Sequence, residues 1–464
     1  MFIGRQTELK KLDDLYNGNR FECAVIYGRR RIGKTTLINE FIKGKEAIYF
    51  TALETTAKEN LENFSQCIMR LRLGTESAGA VFSNFQAAMD TVYEMAKEKR
   101  IILVIDEYPY LAASYPGISS LLQVQIDEKF KASKLMLILC GSSMSFMENQ
   151  VLGYQSPLYG RRTAQFKITP FGFFELKDYF NGFTPIDLAT VYGITGGVPQ
   201  YLTLMDDSLS LEENIKRNFF DPSAYLFEEP TNLLKQEVRE PAHYNAVIKA
   251  IATGSTKNSE IAAKVGIETS ACTAYLKNLI SLGIVGKETP ITEDTTKKTI
   301  YTIEDSMFRF WYRFVPDNIA LIQNGLVDRV WRKVEPQIPA FMGKVFEDIC
   351  KQWLWRENAA GHLPIDFVNL GRWWGNDPIR KCETEIDILA YADNEHALFA
   401  ECKWTNEKVD AGVLETLKQR SELFRYREKI LYVFSKSGFT TGCMELSKAI
   451  PAVLLSYAEI YGFN

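Results

Sequence analysis

Gly28-Arg29-Arg30-Arg31-Ile32-Gly33-Lys34-Thr35 fits the phosphate-cradling pattern G-x-x-x-x-G-K-[ST] without a gap. The glycines let the backbone wrap a phosphate chain so that amide N–H groups point inward. A helix opening directly after the loop adds the positive end of its dipole. Lys34 would reach the β- and γ-phosphates and Thr35 would hold Mg²⁺, with the cradle for ATP running from Gly28 through Arg29, Arg30, Arg31 and Ile32 to Thr36. A plain Gly-rich turn would leave Lys34 and Thr35 unexplained.

Two further stretches carry chemistry that suits such a loop. Ile101-Ile102-Leu103-Val104-Ile105-Asp106-Glu107 is a buried strand ending in two carboxylates. Asp106 would bind Mg²⁺ directly or through water, and Glu107 would polarise the attacking water. The competing reading is a strand that ends in a solvated acidic turn. Leu135–Cys140 runs into Gly141-Ser142-Ser143, which would set Ser142 or Ser143 near the γ-phosphate; a polar turn after a strand is the alternative. Arg161 or Arg162 would supply an arginine finger, in cis or in trans, or be a solvated surface arginine; Arg162 is the candidate nucleotide contact, and which of the two acts as the finger is left open.

A second constellation lies near the C-terminus, at Glu385-Ile386-Asp387-Ile388-Leu389 and Ala400-Glu401-Cys402-Lys403. Residues two apart in a strand share a face, so Glu401 and Lys403 project together while Ala400 and Cys402 face the core. Two adjacent antiparallel strands would gather Asp387, Glu401 and Lys403 around one point. Paired carboxylates hold Mg²⁺ through oxygen, the ion activates water against a phosphate, and Lys403 would orient that water or offset developing charge. The alternative is a charged sheet face that binds without cleaving. Trp373-Trp374 would stack on bases or simply pack. His243, His362 and His396 are isolated and read as structural or exposed.

These residues must be positioned by an α/β framework. Glu8–Tyr16 and Thr35–Ile42 read as helices; Phe21–Tyr27, Ala47–Tyr49, Ile101–Ile105 and Leu135–Leu139 read as strands. Continuous aliphatic runs of this kind suit a parallel sheet buried on both faces. From Phe171–Phe180 onward the pattern reads as helical, with a break at Gly196-Gly197-Val198-Pro199. Met307–Glu335 reads as a linker helix region. From Pro336 the order is helix, strands, helix, strand, helix, strand, with the second helix at Val409–Phe424 and a strand at Lys429–Ser435. The expected domains are an ATPase domain at 1–170, a helical lid at 171–238, a winged helix at 239–315 and a nuclease-like domain at 336–464.

The winged helix is read from Asn258–Val265, a turn at Gly266, and Thr269–Leu282, which have helix-turn-helix spacing. Leu276, Leu279 and Ile280 would line its core face, and Thr273, Ala274 and Lys277 would point outward. Ile284–Lys287 would pair with Lys298–Ile303 across a polar tip at Thr292–Thr296. Lys249, Lys257, Lys264, Lys277 and Lys287 outnumber Glu260 and Glu268 locally, which suits contact with DNA phosphates. Such modules also serve as lids or protein contacts, and no residue stands out as a base reader.

With these motifs in view the chain resembles the archaeal-type, AAA+-related ATPases. The resemblance rests on Phe2-Ile3-Gly4-Arg5-Gln6-Thr7-Glu8-Leu9, the loop at Tyr27–Thr36, Asp106-Glu107, Ser156–Arg162 and Gly196–Leu202. It implies an ASCE/AAA+-like P-loop core with the Ile3-Gly4-Arg5 stretch beside the adenine. The C-terminal part resembles the PD-(D/E)xK restriction-endonuclease-like superfamily, in which an early helix supplies a further acid. Glu347, in Gly343-Lys344-Val345-Phe346-Glu347, matches that position. Asn369–Trp374 resembles the C-terminal domain often fused to these ATPases. Ile386 stands where the motif has Pro. The expected architecture is therefore a multidomain α/β chain: ATPase core, helical lid, winged helix-turn-helix and restriction-endonuclease-like domain.

Composition narrows the setting. The 464 residues are 46% hydrophobic and 24% charged, with a formal net charge of −4. That balance is globular, and nucleic-acid contact must come from local basic patches. The first residues lack a signal-peptide pattern, and no apolar run approaches the ~18–20 residues that span a bilayer. The eight cysteines are scattered without C-x-x-C spacing, which excludes a zinc knuckle and fits a reduced compartment. The expected setting is cytoplasmic with no membrane partner; a homo-oligomer is left open.

Overall fold

The computed structural model describes residues 3–74, 81–292, 298–378 and 380–462. The chain divides into two compact units, one of residues 1–171 with Val198–Gln200, the other of 172–197 with 201–464.

The first unit is built on a parallel sheet of β1 (Glu22–Tyr27), β2 (Ala47–Thr51), β3 (Ile101–Asp106), β4 (Leu135–Gly141) and β5 (Ala164–Lys167), ordered β2-β3-β4-β1-β5. The three central strands are buried throughout because helices cover both faces. Side chains alternate between two cores: Val25, Leu103 and Leu137 pack on one face, and Ala24, Val104 and Ile138 on the other. Register brings the carboxyl ends together, with Tyr27 opposite Gly141 and Ile105 opposite Leu139. The loops bearing the chemistry therefore leave the same edge of the sheet.

The second unit starts differently from the sequence expectation. Phe171–Phe180 holds only a 3₁₀ turn at Phe173–Asp178. Pro170-Phe171-Gly172 and Asn181-Gly182 leave too short a run, and the Gly172 amide is taken up by the Glu175 carboxylate at 2.7 Å. The Pro185–Thr195 helix ends at Gly196, whose φ of +60° closes it in the left-handed conformation. Met307–Glu335 is three helices, Ser306–Phe314, Ile319–Gln323 and Val327–Val334, interrupted where Pro316 and Gly325 fall.

Helices Pro241–Ala252, Asn258–Val265 and Thr269–Ser281 precede the hairpin of β6 (Val285–Glu288) and β7 (Ile300–Ile303). Cys272, Leu276 and Leu279 fill the inner face of the last helix. Ile280 does not join them: it is 36% exposed, one position past the stripe that the 272-276-279 spacing defines. Thr273, Ala274 and Lys277 are exposed as expected. The wing tip lies largely at 293–297, outside the described residues.

The rest of the unit opens with a long helix, Ile338–Ala360. A mixed sheet follows: β8 (Asn369–Asp377), β9 (Cys382–Tyr391), β10 (His396–Lys403), β11 (Glu428–Ser435) and β12 (Ala452–Ser456), in the order β12-β11-β10-β9-β8. β9 runs antiparallel to β8 and β10, while β11 runs parallel to β10 and β12. Helices Ala411–Ser421 and Thr441–Ala449 separate the last strands. On one face Ala397 and Phe399 pack with Leu414 and Leu417. On the other, the Cys402 thiol meets Cys350 of the long helix. Both faces of β10 are thus core, so alternation separates two interiors rather than core from solvent.

The winged helix is fastened to this sheet. The Ile291 amide donates to the Arg372 carbonyl at 3.0 Å, the Tyr391 hydroxyl donates to the Ile291 carbonyl at 3.1 Å, and the Ile291 side chain lies 3.2 Å from where a Cβ on Gly371 would stand. A β-bulge between Gly371 and Trp373 frees the Arg372 carbonyl for this contact.

Candidate active sites

The nucleotide loop follows β1 and leads into the Lys34–Ile42 helix. Gly28 has no room for a side chain: a Cβ there would lie 2.4 Å from the Ile168 carbonyl oxygen and 2.4 Å from Ile32 Cδ1. Gly33 sits at φ +83° and Arg31 at φ +72°, two left-handed residues flanking Ile32, as backbones that cradle an anion have. Lys34 is buried, its ammonium donating at 2.9 Å to the carbonyls of Gly28 and Arg29. Burial lowers its pKa, opposed by Cys140 and by the carboxylates of Glu107 and Asp106. Arg30 donates to the Tyr110 hydroxyl at 2.9 Å, and Ile32 is buried as the hydrophobic pin of the loop. Thr35 and Thr36 are exposed.

Asp106 is fully engaged. One oxygen accepts from Thr35 Oγ1 at 3.1 Å and from the Tyr49 hydroxyl at 2.6 Å, and the other accepts the Glu107 amide at 2.9 Å. Burial and then Asp106 raise the Tyr49 pKa, so the phenol stays a donor. The hydroxyl of Thr35 and the carboxylate of Asp106 are oxygen donors of the kind that would suit Mg²⁺. Glu107 holds a left-handed backbone at φ +51°, a costly conformation for a non-glycine residue that a rigid surround must sustain. Its carboxylate accepts from Ser142 Oγ at 2.9 Å. Ser142 therefore orients Glu107 within this site. Tyr49 carried no sequence signal, because its approach to Asp106 depends on β2 lying beside β3.

The arginines sit elsewhere. Arg161 grips Asp127 through Nε at 2.9 Å and through a terminal nitrogen at 2.5 Å. Burial raises the Cys23 thiol pKa and the nearby Arg162 opposes that rise; Arg162 lies just ahead of β5, whose Ala164 is level with Ala24. That is the end of β1 opposite the loop, so the chain does not bring Arg162 to its own Lys34. Val198–Gln200, which belongs to the same unit, does reach the loop: Gln200 N donates to the Arg31 carbonyl at 3.3 Å, and Pro199 stands 3.8 Å from where a Gly33 Cβ would be. Arg5 is buried, with its guanidinium 4.6 Å over the Phe171 ring.

In the second unit the structure draws the C-terminal residues together. Asp387 is 7% exposed and accepts the Cys402 amide at 2.8 Å. Glu401, equally buried, accepts Lys403 Nζ at 2.6 Å with one oxygen and an Arg420 terminal nitrogen at 3.1 Å with the other. Burial and then the Glu401 charge push Asp387 up to about 6, against the Cys402 amide and Lys403. Glu347, on the Ile338–Ala360 helix, is also raised by burial and, in part, by Asp387; Lys344, 3.2 Å away, opposes the rise. Two buried carboxylates that repel one another offer the hard-oxygen donors suited to Mg²⁺. Among the described residues no group of three or more His, Cys, Asp or Glu side chains is gathered tightly enough to hold a metal. Arg420 was missed in the sequence because it comes from the end of the Ala411–Ser421 helix, 19 residues beyond Glu401.

Trp373 is buried and packs edge-on against Phe424 at 4.9 Å, which makes it a core residue. The histidines have partners of their own: His243 stacks on Tyr275, His362 pairs with Glu357 and His396 with Asp393.

Residues 2–205 match a family described as an ATPase domain predominantly from Archaea. An uncharacterized protein of Methanocaldococcus jannaschii is 36% identical over 412 residues, covering 88% of each chain. The chain belongs to this archaeal ATPase family. Residues 250–285 of the ATPase match a winged helix-turn-helix DNA-binding family, and residues 311–414 match one described as archaeal and bacterial proteins of unknown function. An uncharacterized ATP-binding protein of the same archaeon is 44% identical over 46 residues, 10% of this chain and 78% of that one. The Walker-type ATPase of Pyrococcus abyssi shares the fold, with a TM-score of 0.52 at 18% identity over 67% of this chain and 96% of that one. No helix among the described residues is long and apolar enough to cross a membrane.

Proposed function

We propose that this ATPase uses ATP and Mg²⁺ at Gly28–Thr36, Asp106 and Glu107 to control a Mg²⁺-dependent nuclease of the PD-(D/E)xK kind acting on DNA. The observation that carries the reading is the meeting of Asp387, Glu401 and Lys403 on adjacent strands, with Glu347 supplied by the preceding helix. An α-β-β-β-α-β order with this strand arrangement is what such a site requires. Asp387 and Glu401 hold the metal, and Lys403 steadies the water or the phosphate. DNA is drawn in by the exposed Lys249, Lys257, Lys264, Lys277 and Lys287 of the winged helix. The eight cysteines are free thiols, which supports a cytoplasmic setting.

The test is digestion of several DNA and RNA forms by the full chain with Mg²⁺ or Mn²⁺, with and without ATP. Cleavage that disappears in Asp387→Asn and Lys403→Ala supports the reading. No cleavage by wild type, or equal cleavage by the variants, overturns it.

A second reading, a nucleotide-gated switch that binds DNA or a protein without cutting, is favoured by one observation. Both oxygens of Glu401 are already held by cations. Its mark is loss of partner binding in Lys34→Ala while Lys403→Ala binds normally.

A further inference from the structure

Glu401 is buried and carries two cations from different elements. Lys403 lies two residues along the same strand, fixed on the same face as Glu401. Arg420 arrives from the last turn of the Ala411–Ser421 helix. The two cations are not equivalent. Lys403 cannot leave the face of β10 that carries Glu401. Arg420 hangs from a helix end on a long side chain that is 23% exposed, so it has a way out. A divalent ion shared by Asp387 and Glu401 needs a Glu401 oxygen, and the one facing Arg420 is the one that can be vacated.

We propose that Arg420 is a positioning residue that acts as the built-in counter-cation of the carboxylate pair. It holds Glu401 while no metal is bound, yields that oxygen when a divalent cation enters, and then turns its guanidinium to the nucleic-acid phosphate that arrives with the metal. No bond is made or broken in this exchange; one cation replaces another on Glu401, and a planar guanidinium suits both carboxylate and phosphate. The proposal rests on the reading of Asp387 and Glu401 as a metal site.

The experiment measures Mn²⁺ binding to the full chain by titration calorimetry and by electron paramagnetic resonance of the free ion. It uses an Asp106→Ala background, which removes the other carboxylate site. Arg420→Ala and Arg420→Gln should bind Mn²⁺ about tenfold more tightly, the scale of one charge-assisted hydrogen bond removed from a competitor. Arg420→Lys should stay near wild type. With Ca²⁺ in place of Mn²⁺, the two neutral variants should bind a short DNA duplex more weakly even though their metal affinity has risen. A merely structural Arg420 would not move the two affinities in opposite directions. Equal Mn²⁺ affinity in all four proteins, with binding abolished by Asp387→Asn, overturns the role of Arg420 and leaves the metal site standing. If neither wild type nor the Arg420 variants bind Mn²⁺, the counter-cation proposal and the metal-site reading fall together. Thermal melts accompany each variant, and Arg420→Gln keeps the comparison open if Arg420→Ala misfolds.

Discussion

The amide of Ile291 donates to the carbonyl of Arg372 at 3.0 Å, so the segment leaving β6 is tied to the edge strand of the C-terminal sheet. A wing held in this way is a protein contact before it is a DNA contact. Ile291→Ala should cost about 1–2 kcal/mol, the loss of a half-buried side chain over Gly371. It should also speed amide exchange in β6 and β7. Hydrogen exchange by mass spectrometry checks this; unchanged protection in both strands would mean the hairpin needs no anchor.

Asp387 gives a pH prediction with a definite sign. Its folded pKa, about 6, exceeds the 3.8 of an unperturbed aspartate, so the folded state binds the extra proton. The favourable protonated form is complete below about pH 4, and stability is lost as pH rises from there through 6. The ionised carboxylate thus costs stability at neutral pH in metal-free buffer. Asp387→Asn should therefore be the more stable protein at pH 7–8, with the advantage fading toward pH 4. Urea unfolding across that range tests it, and an advantage that grew with acidity would contradict it.

Glu107 is held by Ser142 in a left-handed turn, and the proposed function gives it work on water rather than on nucleotide binding. Glu107→Gln should leave nucleotide affinity near wild type and slow ATP turnover about 10²–10⁴-fold. Ser142→Ala should slow it less, since it removes only the orienting bond. Fluorescent-nucleotide binding and phosphate release, measured side by side, separate the two effects.

Tyr49 competes for the Asp106 oxygen that faces Thr35. In Tyr49→Phe that oxygen is freed, and the Mg²⁺ concentration giving half-maximal ATP hydrolysis should fall by about tenfold, the scale of one hydrogen bond to a charged group. An unchanged Mg²⁺ curve would leave the phenol with a purely structural part.

Gly28→Ala must push the loop away from Ile168 or displace the Ile32 side chain. A cost of about 1–3 kcal/mol is expected from the overpacking, together with loss of ATP binding. A thermal melt and a nucleotide titration would detect both.

What could be read in advance was what is contiguous. The Gly28–Thr35 loop, the Asp106-Glu107 pair and the 401–403 strand are short runs whose period or spacing states their geometry. The central strands were legible because double burial requires unbroken apolar runs, as in Leu135–Leu139. What escaped was set by neighbours distant in sequence. Tyr49 meets Asp106 through strand order, Arg420 meets Glu401 through a helix crossing back over the sheet, and Ile291 finds β8 through a bulge at Arg372. Phe171–Phe180 misled because its aromatic pattern has helical spacing while glycines on either side cut the run short. Ile280 misled because a stripe read one residue too wide includes a side chain that faces water.

Arg162 sits by Cys23, and five extended residues, roughly 16 Å, separate that point from Gly28. An arginine at one end of the sheet and a nucleotide at the other give each copy of the chain two unlike surfaces. Any contact in which this arginine reaches a phosphate joins one copy's donor end to another copy's acceptor end. Two copies related by a twofold axis satisfy both ends reciprocally only if arginine and loop are presented on one shared face. Where the two lie on different faces, a closed ring satisfies every member, and a rotation that fails to close continues as a filament with an unsatisfied site at its tip.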